Sequence, residues 1–179
     1  MESRFTVKSG KGNFQLVRQK FLNESVSIRL PEFLKDLSED ERKNRRLSLP
    51  DSDVLKMNKE HKVMFALSVN DFSLRQDEHL DEEERVAVML EAQRRVVSRI
   101  APGYQEYGVH CKKIDGRTVG YLKYKSNSIE DDIYNIFYLF FGGDKMITGV
   151  FSGLMADMEE WNHIFLVCLD TLKLNLDKT

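Results

Sequence analysis

Hydrophobic and polar residues recur in regular patterns over most of the chain that follows residue 54. Within this part, Val63–Val69 has the apolar, β-branched composition of a strand. The patterns before residue 54 are weaker, and there Phe14–Val17 and Val26–Leu30 have strand character. Residues 32–47 are rich in charged side chains and are predicted to be partly helical.

A first amphipathic helix is predicted to begin at Asp81. Asp81 and Glu84 have the spacing of a capping box, in which each side chain bonds to the backbone of the other residue. The apolar positions that follow recur every three or four residues and form one stripe, which we expect to be buried. They are Val86, Met89, Leu90, Val97 and Ile100. Pro102-Gly103 predicts the end of the helix.

A second amphipathic helix is predicted near the end of the chain. Asp157 and Glu160 repeat the capping-box spacing. The apolar stripe of this helix consists of Met158, Trp161, Ile164, Phe165, Cys168 and Leu172. Because Trp161 is in register with this stripe, it is predicted to lie in the core rather than on a binding surface.

The stretch Ile133–Phe141 is the most informative part of the pattern, because it is apolar at both alternating sets of positions. A strand with one face in water would alternate, so this strand is predicted to be central in its sheet and covered on both faces. Hairpin turns are predicted at Asp115-Gly116 and Gly142-Gly143. Together with the helices, the pattern predicts an α+β protein, specifically an α/β/α sandwich with a mainly antiparallel sheet and helices on both faces.

The order of these elements resembles that of the superfamily of the photosystem II PsbP proteins and the Ran guanine-nucleotide release factor. The segments Asp132–Phe137, Gly149–Gly153 and Glu159–Trp161 also look like small uncharacterised proteins of gut Firmicutes with that fold. The resemblance covers roughly residues 54–175. It implies a PsbP-like fold and a binding scaffold, since relatives bind a small GTPase, assist photosystem assembly or act as chaperones for secreted effectors. It supplies no catalytic motif.

Length and composition place the chain among ordinary globular proteins. It has 179 residues, of which 41% are hydrophobic and 31% charged, and these values exclude collagenous and disordered classes. We expect one domain, residues 1–179, in which 1–53 forms poorly patterned strands and a charged segment and 54–175 forms the sheet-and-helix core.

The net charge of -2 gives no overall attraction to nucleic acid or to an anionic membrane. No signal-peptide pattern follows Met1, and the longest apolar run, Ile136–Phe141, is too short to cross a bilayer. We therefore expect a cytoplasmic protein that binds neither a membrane nor nucleic acid.

The candidate reactive residues do not form a recognisable catalytic or metal-binding motif. Cys111 and Cys168 lie far apart in apolar stretches and are predicted to be buried, reduced thiols. His110 precedes Cys111, but neighbouring residues of a strand point to opposite faces, which excludes a Cys–His dyad. The histidines lack metal-ligand spacing, and Glu130–Asp132 is interpreted as a solvated acidic turn. We expect a protein that is not an enzyme and holds no cofactor or metal.

A compact basic cluster is the local charge feature that we predict to bind a partner. Its members are Arg42, Lys43, Arg45 and Arg46. On a slightly acidic chain, such a cluster creates a positive potential that can speed encounter with an acidic partner. The first hypothesis is a non-enzymatic protein-binding or chaperone-like domain whose partner-binding surface includes these residues. Two alternatives stay open: an enzyme whose site is built from polar residues scattered in the first sixty positions, and a weak nucleic-acid binder that uses residues 42–46.

Overall fold

The computed structural model describes residues 4–44, 52–60, 62–72 and 79–175. Within these ranges the chain forms two sheets, three α-helices and a short 3-10 helix, Met155–Asp157. The strands are β1 (Phe5–Ser9), β2 (Gly12–Phe21), β3 (Val26–Pro31), β4 (Lys35–Asp36), β5 (Val54–Met57), β6 (Met64–Asp71), β7 (Gln105–Ile114), β8 (Arg117–Asn127), β9 (Asp132–Gly142), β10 (Lys145–Leu154) and β11 (Lys173–Leu174). The helices are α1 (Glu39–Asn44), α2 (Glu82–Ile100) and α3 (Met158–Asp170).

Every described pair of neighbouring strands is antiparallel. The larger sheet has seven strands in the order β4-β5-β6-β10-β9-β8-β7, and the smaller sheet has four in the order β1-β2-β3-β11. The predicted α+β class with mainly antiparallel strands is therefore confirmed. The separate smaller sheet was not predicted, because its strands come from both ends of the chain and their pairing leaves no local signal.

Both faces of β9 are buried, and β9 lies between β8 and β10 in the larger sheet. On one face, Leu139 belongs to a cluster with Val86 and Leu90 of α2. On the other face, Tyr138 belongs to a cluster that contains Phe165 of α3. Burying a large side chain of this kind contributes roughly 1.5–3 kcal/mol, so the contacts of both helices with β9 stabilise the fold.

The helix α3 contacts both sheets. It touches β1 and β3 of the smaller sheet and β9 and β10 of the larger one. Val7, Leu16 and Ile28 of the smaller sheet accordingly share one hydrophobic cluster with α3. Beyond the carboxyl end of α3, the Arg18 guanidinium donates a hydrogen bond to the carbonyl oxygen of Thr171 at 2.6 Å, where a cation also complements the helix dipole. Residues before position 54 thus contribute directly to the core.

The two predicted hairpins form, and the second is shifted by one residue. In the first turn, Asp115 and Gly116 take positive φ values of 49° and 78°, as a tight two-residue turn requires. In the second, Gly142 remains paired in the ladder between β9 and β10. The turn residues are therefore Gly143 and Asp144 rather than Gly142 and Gly143, because Gly143 supplies the positive φ of 63°.

The capping box predicted at the start of α2 is confirmed. The Glu84 N–H donates to the Asp81 carboxylate at 2.9 Å, and the Asp81 N–H donates to the Glu84 carboxylate at 3.0 Å. The equivalent prediction for Asp157 and Glu160 is wrong. Asp157 makes no side-chain capping bond, because the 3-10 helix leads directly into α3 and both carboxylates bind the turn between β1 and β2.

Two residues that the pattern predicts to be buried are exposed. Ile100 is 71% exposed, because it is the last residue of α2, whereas the buried contacts of that helix are made by Val86 and Leu90. Cys111 is exposed, because it lies on β7, an edge strand of the larger sheet. Cys168 is buried in α3, as predicted.

Two tyrosines on the same face of β9 provide a matched test of buried polar groups. The Tyr138 hydroxyl is buried without a hydrogen-bond partner among the described residues, whereas the Tyr134 hydroxyl donates to Asn162 Oδ1 at 2.8 Å. An unsatisfied buried hydroxyl costs about 1–3 kcal/mol. Tyr138→Phe is therefore expected to raise the free energy of unfolding by about 1 kcal/mol and Tyr134→Phe to lower it by about 1 kcal/mol. Denaturant unfolding measures both, and two changes of the same sign would contradict this account.

Candidate functional site

A cleft opens at the amino-terminal end of α3, between the β1–β2 turn, the residues after β3 and the β5–β6 turn. Its volume is about 400 Å³, a size that fits a small ligand or one or two large side chains. Three aromatic side chains line it: Phe14 of β2, Phe33 after β3 and Trp161 of α3. We call it the aromatic cleft. Its other lining residues are Lys11, Asn58, Lys59, Glu60, Val63, Asp157 and Glu160.

The three rings hold one another in edge-to-face contacts, which the ring quadrupoles favour. The centroid of the Phe14 ring is 6.0 Å from that of Phe33 and 6.0 Å from that of Trp161. The Phe33 and Trp161 centroids are 6.4 Å apart. Trp161 also stacks on Phe165 at a centroid distance of 5.4 Å. The aromatic lining is thus fixed by the fold before any ligand arrives.

The position of Trp161 depends on Gly153 of β10. A Cβ atom at Gly153 would lie 2.6 Å from the indole Cδ1, closer than van der Waals contact permits, so a side chain there would displace the ring. Trp161 is 8% exposed, which confirms that it is a core residue. The structure adds that the same side chain forms part of the cleft.

One wall of the aromatic cleft is the β1–β2 turn, which two carboxylates at the start of α3 hold in place. Glu160 accepts a hydrogen bond from the Ser9 hydroxyl and another, at 3.2 Å, from the Lys11 backbone N–H. Asp157 forms an ion pair with the Lys11 ammonium. The residues that were expected to cap α3 therefore connect the two ends of the chain.

The opposite wall is the β5–β6 turn, which Asn58 organises. Its Oδ1 accepts hydrogen bonds from the backbone N–H groups of Lys62 and Val63 at 2.7 and 2.9 Å, and its Nδ2 donates to Glu60 at 2.8 Å. Lys59 makes no ion pair with a described residue. It therefore adds a positive charge to the rim that no neighbouring described carboxylate neutralises.

Most polar side chains of the aromatic cleft are engaged in contacts that hold its walls. The carboxylates of Glu60, Asp157 and Glu160 each accept a hydrogen bond or ion pair from the protein itself. The Ser9 hydroxyl is likewise used to hold the β1–β2 turn. The described lining residues include no histidine or cysteine that could form an activated nucleophile with its base.

The basic cluster predicted from the sequence lies partly within the described residues. Arg42 and Lys43 occupy the last turn of α1, and Arg45 and Arg46 lie outside the described residues. The Lys43 ammonium is 3.9 Å from a carboxylate oxygen of Glu39, one turn earlier. Such an exposed pair contributes about 0–1 kcal/mol. A role of the cluster in partner binding stays a prediction.

The cysteines do not have the environment of a reactive thiol. Burial raises the pKa of the Cys168 thiol. The Cys111 side chain is exposed. Partial desolvation, and to a lesser extent the negative charge of Glu83, nevertheless raise the pKa of its thiol. A nucleophilic cysteine requires the opposite shift, produced by positive surroundings.

The acidic turn after β8 has partners within the protein. Asp131 lies 3.8 Å from the Lys62 ammonium, and Asp132 lies 2.6 Å from that of Lys125. No group of three or more metal-ligating side chains assembles within the described parts of the chain. In the same parts, no helix combines the length and apolar character needed to span a membrane.

Most of the cleft residues were not recognised from the sequence. Trp161 was predicted to be a core residue and Phe14 to begin a strand, whereas Phe33 and Lys59 stand in segments with no regular pattern. The three aromatic residues meet because the smaller sheet places β2 and the end of β3 against the start of α3. A sequence signal for this would have been the isolated aromatic residues of the poorly patterned amino-terminal region.

No protein-family model matches the sequence, and no curated protein matches it. Among solved structures, the chain is similar to the solution structure of cyanobacterial PsbP (CyanoP) from Synechocystis sp. PCC 6803. The TM-score is 0.61, with 10% sequence identity over 93% of this chain and 96% of that chain. The fold is PsbP-like. This confirms the PsbP resemblance stated from the sequence.

Two further structures share the PsbP-like fold with this chain. PA94 of Pseudomonas aeruginosa, a protein of unknown function, has a TM-score of 0.50 and 11% identity over 94% of each chain. A protein from Bacteroides thetaiotaomicron has a TM-score of 0.52 and 10% identity over 88% of this chain and 48% of that chain. This chain therefore spans about half the length of the latter. At such identities the likeness establishes the fold alone.

Replacing Trp161 by alanine tests whether its indole ring is part of the core. Trp161→Ala deletes the stack on Phe165 and the edge contacts with both cleft phenylalanines, so we expect it to lower the free energy of unfolding by about 3–5 kcal/mol. Denaturant unfolding followed by far-ultraviolet circular dichroism measures the loss. Phe5→Ala is the control, since Phe5 is 46% exposed, and it should cost about 1 kcal/mol or less. A similarly small loss for Trp161→Ala would show that the indole is not a core group.

Proposed function

We propose that this protein is a non-enzymatic binding domain that recognises another protein, and that the aromatic cleft is the recognition site. The observation that supports this proposal is a preformed cleft that combines three aromatic rings with a charged rim. Aromatic side chains dominate binding hot spots, because they bury a large area at a low entropic cost. Most polar side chains of the described lining residues, including Asn58, Asp157 and Glu160, serve structural contacts, which favours binding over chemistry.

The chemistry of the cleft favours a partner segment in which a large apolar side chain stands next to a carboxylate. The apolar side chain would lie on the rings of Phe14, Phe33 and Trp161. The carboxylate would face Lys59, whose charge has no described ion-pair partner. Complementary charge of this kind adds specificity and speeds association.

The basic cluster Arg42–Arg46 is proposed to extend the recognition surface toward an acidic partner. Its described members, Arg42 and Lys43, lie on α1, which follows β4, and β4 pairs with β5 at the edge of the larger sheet. The strand β5 leads directly to Asn58 in the cleft wall. The connection from α1 through β4 and β5 to Asn58 supports a surface that continues from the aromatic cleft to α1.

We further propose that the chain is one domain, that a helix covers each face of the larger sheet, and that the protein acts in the cytoplasm. The contacts of α2 and α3 with opposite faces of β9 support the α/β/α sandwich. The core shared by β1–β3 and α3 supports the single domain. The free thiols of Cys111 and Cys168 are typical of a reducing compartment.

The two alternative functions have weaker support. Four polar residues of the first sixty positions line the cleft, and they are Lys11, Asn58, Lys59 and Glu60. Lys11 is paired with Asp157, and Asn58 and Glu60 bond to each other, so three of the four hold the cleft walls. The six residues of α1 include no aromatic side chain on which a base could stack. Neither alternative is therefore proposed separately, and nucleic-acid binding is one outcome of the test below.

Peptide selection on the full-length protein tests the recognition site. Peptides from a random phage-displayed library are expected to share an aromatic or large aliphatic residue beside Asp or Glu. The chain has one tryptophan, so Trp161 fluorescence reports their binding directly. Phe33→Ala is expected to weaken binding at least about tenfold, because it removes a cleft ring. Lys59→Glu should selectively weaken the peptides that carry the acidic residue.

Matched variants decide the outcome. Phe5→Ala removes a phenylalanine of the same small sheet outside the cleft lining, and it should bind the peptides as the parent does. Reversal of Arg42, Lys43, Arg45 and Arg46 to glutamate should slow association of acidic peptides without changing the thermal unfolding temperature. If Phe33→Ala binds the selected peptides as tightly as the parent, the aromatic cleft is not the recognition site. If the parent binds single-stranded nucleic acid and the charge reversal abolishes this binding, the result would favour a nucleic-acid binder.

A further inference from the structure

A fully exposed isoleucine stands in the turn between β8 and β9. Ile129 has a relative exposure of 104%, and Glu130 follows it. Hydrogen bonds within the turn hold its backbone. The Ser128 N–H and hydroxyl both donate to the Asp131 carbonyl oxygen at 2.8 Å, and the Asp131 N–H donates to the Ser128 hydroxyl at 3.0 Å. We call the residues from Ser128 to Asp131 the β8–β9 tip.

Glu130 carries the charge of the β8–β9 tip that is available to a partner. The neighbouring carboxylates of Asp131 and Asp132 are paired with Lys62 and Lys125. The Glu130 carboxylate, in contrast, forms no ion pair or hydrogen bond with the rest of the described chain. A single exposed apolar residue is common on protein surfaces. Here, however, the exposed isoleucine is followed directly by an available carboxylate, on a turn whose backbone is held in place.

The β8–β9 tip has the chemistry that the aromatic cleft is proposed to recognise, so the present inference rests on the proposed function. Ile129 is a large apolar side chain that would lie on the three rings of the cleft. Glu130 is the adjacent carboxylate that would face Lys59. The carboxylates that line the cleft already accept hydrogen bonds or ion pairs from the protein itself, whereas Lys59 has no described ion-pair partner.

The β8–β9 tip and the aromatic cleft lie at the same end of the larger sheet. Ser152, near the end of β10, is opposite Met64 at the start of β6 and opposite Asn135 near the start of β9. The β5–β6 turn, which forms one wall of the cleft, and the β8–β9 tip therefore project from one end. Lys62 of that turn pairs with Asp131 of the tip at 3.8 Å. The described lining of the cleft nevertheless does not include the tip of its own chain.

We propose that the aromatic cleft binds the β8–β9 tip of a second copy of this chain, so that two copies exchange tips in a two-fold dimer. A two-fold interface requires a surface that is complementary to itself. A projecting apolar tip and an apolar cleft at one end of the molecule meet this requirement, because each copy supplies one of each. The dimer contains the contact twice, and the second contact forms at a high effective concentration.

Self-association then competes with the recognition of another protein. Both aromatic clefts of the dimer are occupied, so a partner has to displace the tip of the second copy. The competition depends on the concentration of the chain, because the dimer forms by mass action. Dilution therefore opens the clefts, and a partner that binds them dissociates the dimer.

Sedimentation equilibrium of the full chain from about 1 μM to about 1 mM tests the dimer. We expect the mass to rise from one chain to two within this range. Ile129→Ser is expected to raise the dissociation constant at least about tenfold, because it removes the apolar group from both contacts. Val109→Ser is the matched control, since Val109 is a 40% exposed residue of β7, and it should leave the dissociation constant unchanged. Both side chains are exposed, so circular dichroism should show an unchanged fold.

A charge exchange tests the pairing of Glu130 with Lys59. Glu130→Lys and Lys59→Glu are each expected to weaken the dimer at least about tenfold, because each places like charges opposite each other in both contacts. The variant that carries both changes restores opposite charges, so its dissociation constant should return to within about threefold of the parent value. A double variant that is as weak as the single variants would overturn the pairing.

A mass of one chain at about 1 mM would overturn the proposal. A mass above two chains would contradict the two-fold arrangement. A parent-like dimer in Ile129→Ser would show that the β8–β9 tip is not in the interface. A dimer that Ile129→Ser weakens but Phe33→Ala leaves unchanged would show that the tip binds outside the aromatic cleft.

The peptides selected on the parent separate this inference from the proposed function. They should dissociate the dimer, and they should bind Ile129→Ser at least as tightly as the parent, because that variant keeps its cleft. If Phe33→Ala weakens peptide binding but the parent forms no dimer, the proposed function stands and only the present inference fails. If Phe33→Ala weakens the dimer but no peptide binds, the cleft serves self-association and the proposed function fails.

Discussion

The burial of both faces of β9 is the constraint on which the rest of the structure depends. Its side chains are apolar on both sides, so water at either face would cost roughly 1.5–3 kcal/mol for each large side chain exposed. Val86 and Leu90 of α2 belong to the hydrophobic cluster that contains Leu139 of β9. Phe165 of α3 belongs to the cluster that contains Tyr138 of β9, and α3 is itself apolar around much of its circumference. It therefore needs a second apolar partner, which the smaller sheet provides.

The aromatic cleft is an extension of this core rather than an addition to it. Phe151, Phe165 and Trp161 form a stack with centroid distances of 5.0 and 5.4 Å that runs from β10 to the cleft. A group that binds against Trp161 thus contacts the end of this stack of three rings. Such a site is preorganised, and preorganisation lowers the entropic cost of binding.

The parts of the fold that the sequence predicted are those with a local periodicity. The helix starting after Asp81, the apolar strand Ile133–Phe141 and the turn at Asp115 each leave a signal within a few residues. The smaller sheet and the aromatic cleft leave none, because they depend on pairing between segments from opposite ends of the chain. Ile100 and Cys111 were assigned to the core from their apolar surroundings, but their burial depends on how far α2 and the sheet edge are covered, which periodicity does not encode.

The smaller sheet is assembled from both ends of the chain, since Lys173 of β11 pairs with Ser27 of β3. During synthesis, β1–β3 are translated long before α3 and β11. The apolar residues of the amino-terminal strands, such as Leu16 and Ile28, therefore lack the cover of α3 until that helix has left the ribosome, and exposed strands of this kind are prone to aggregate. A chain terminated before α3 would keep that surface exposed, which would make it a substrate for chaperones and proteases.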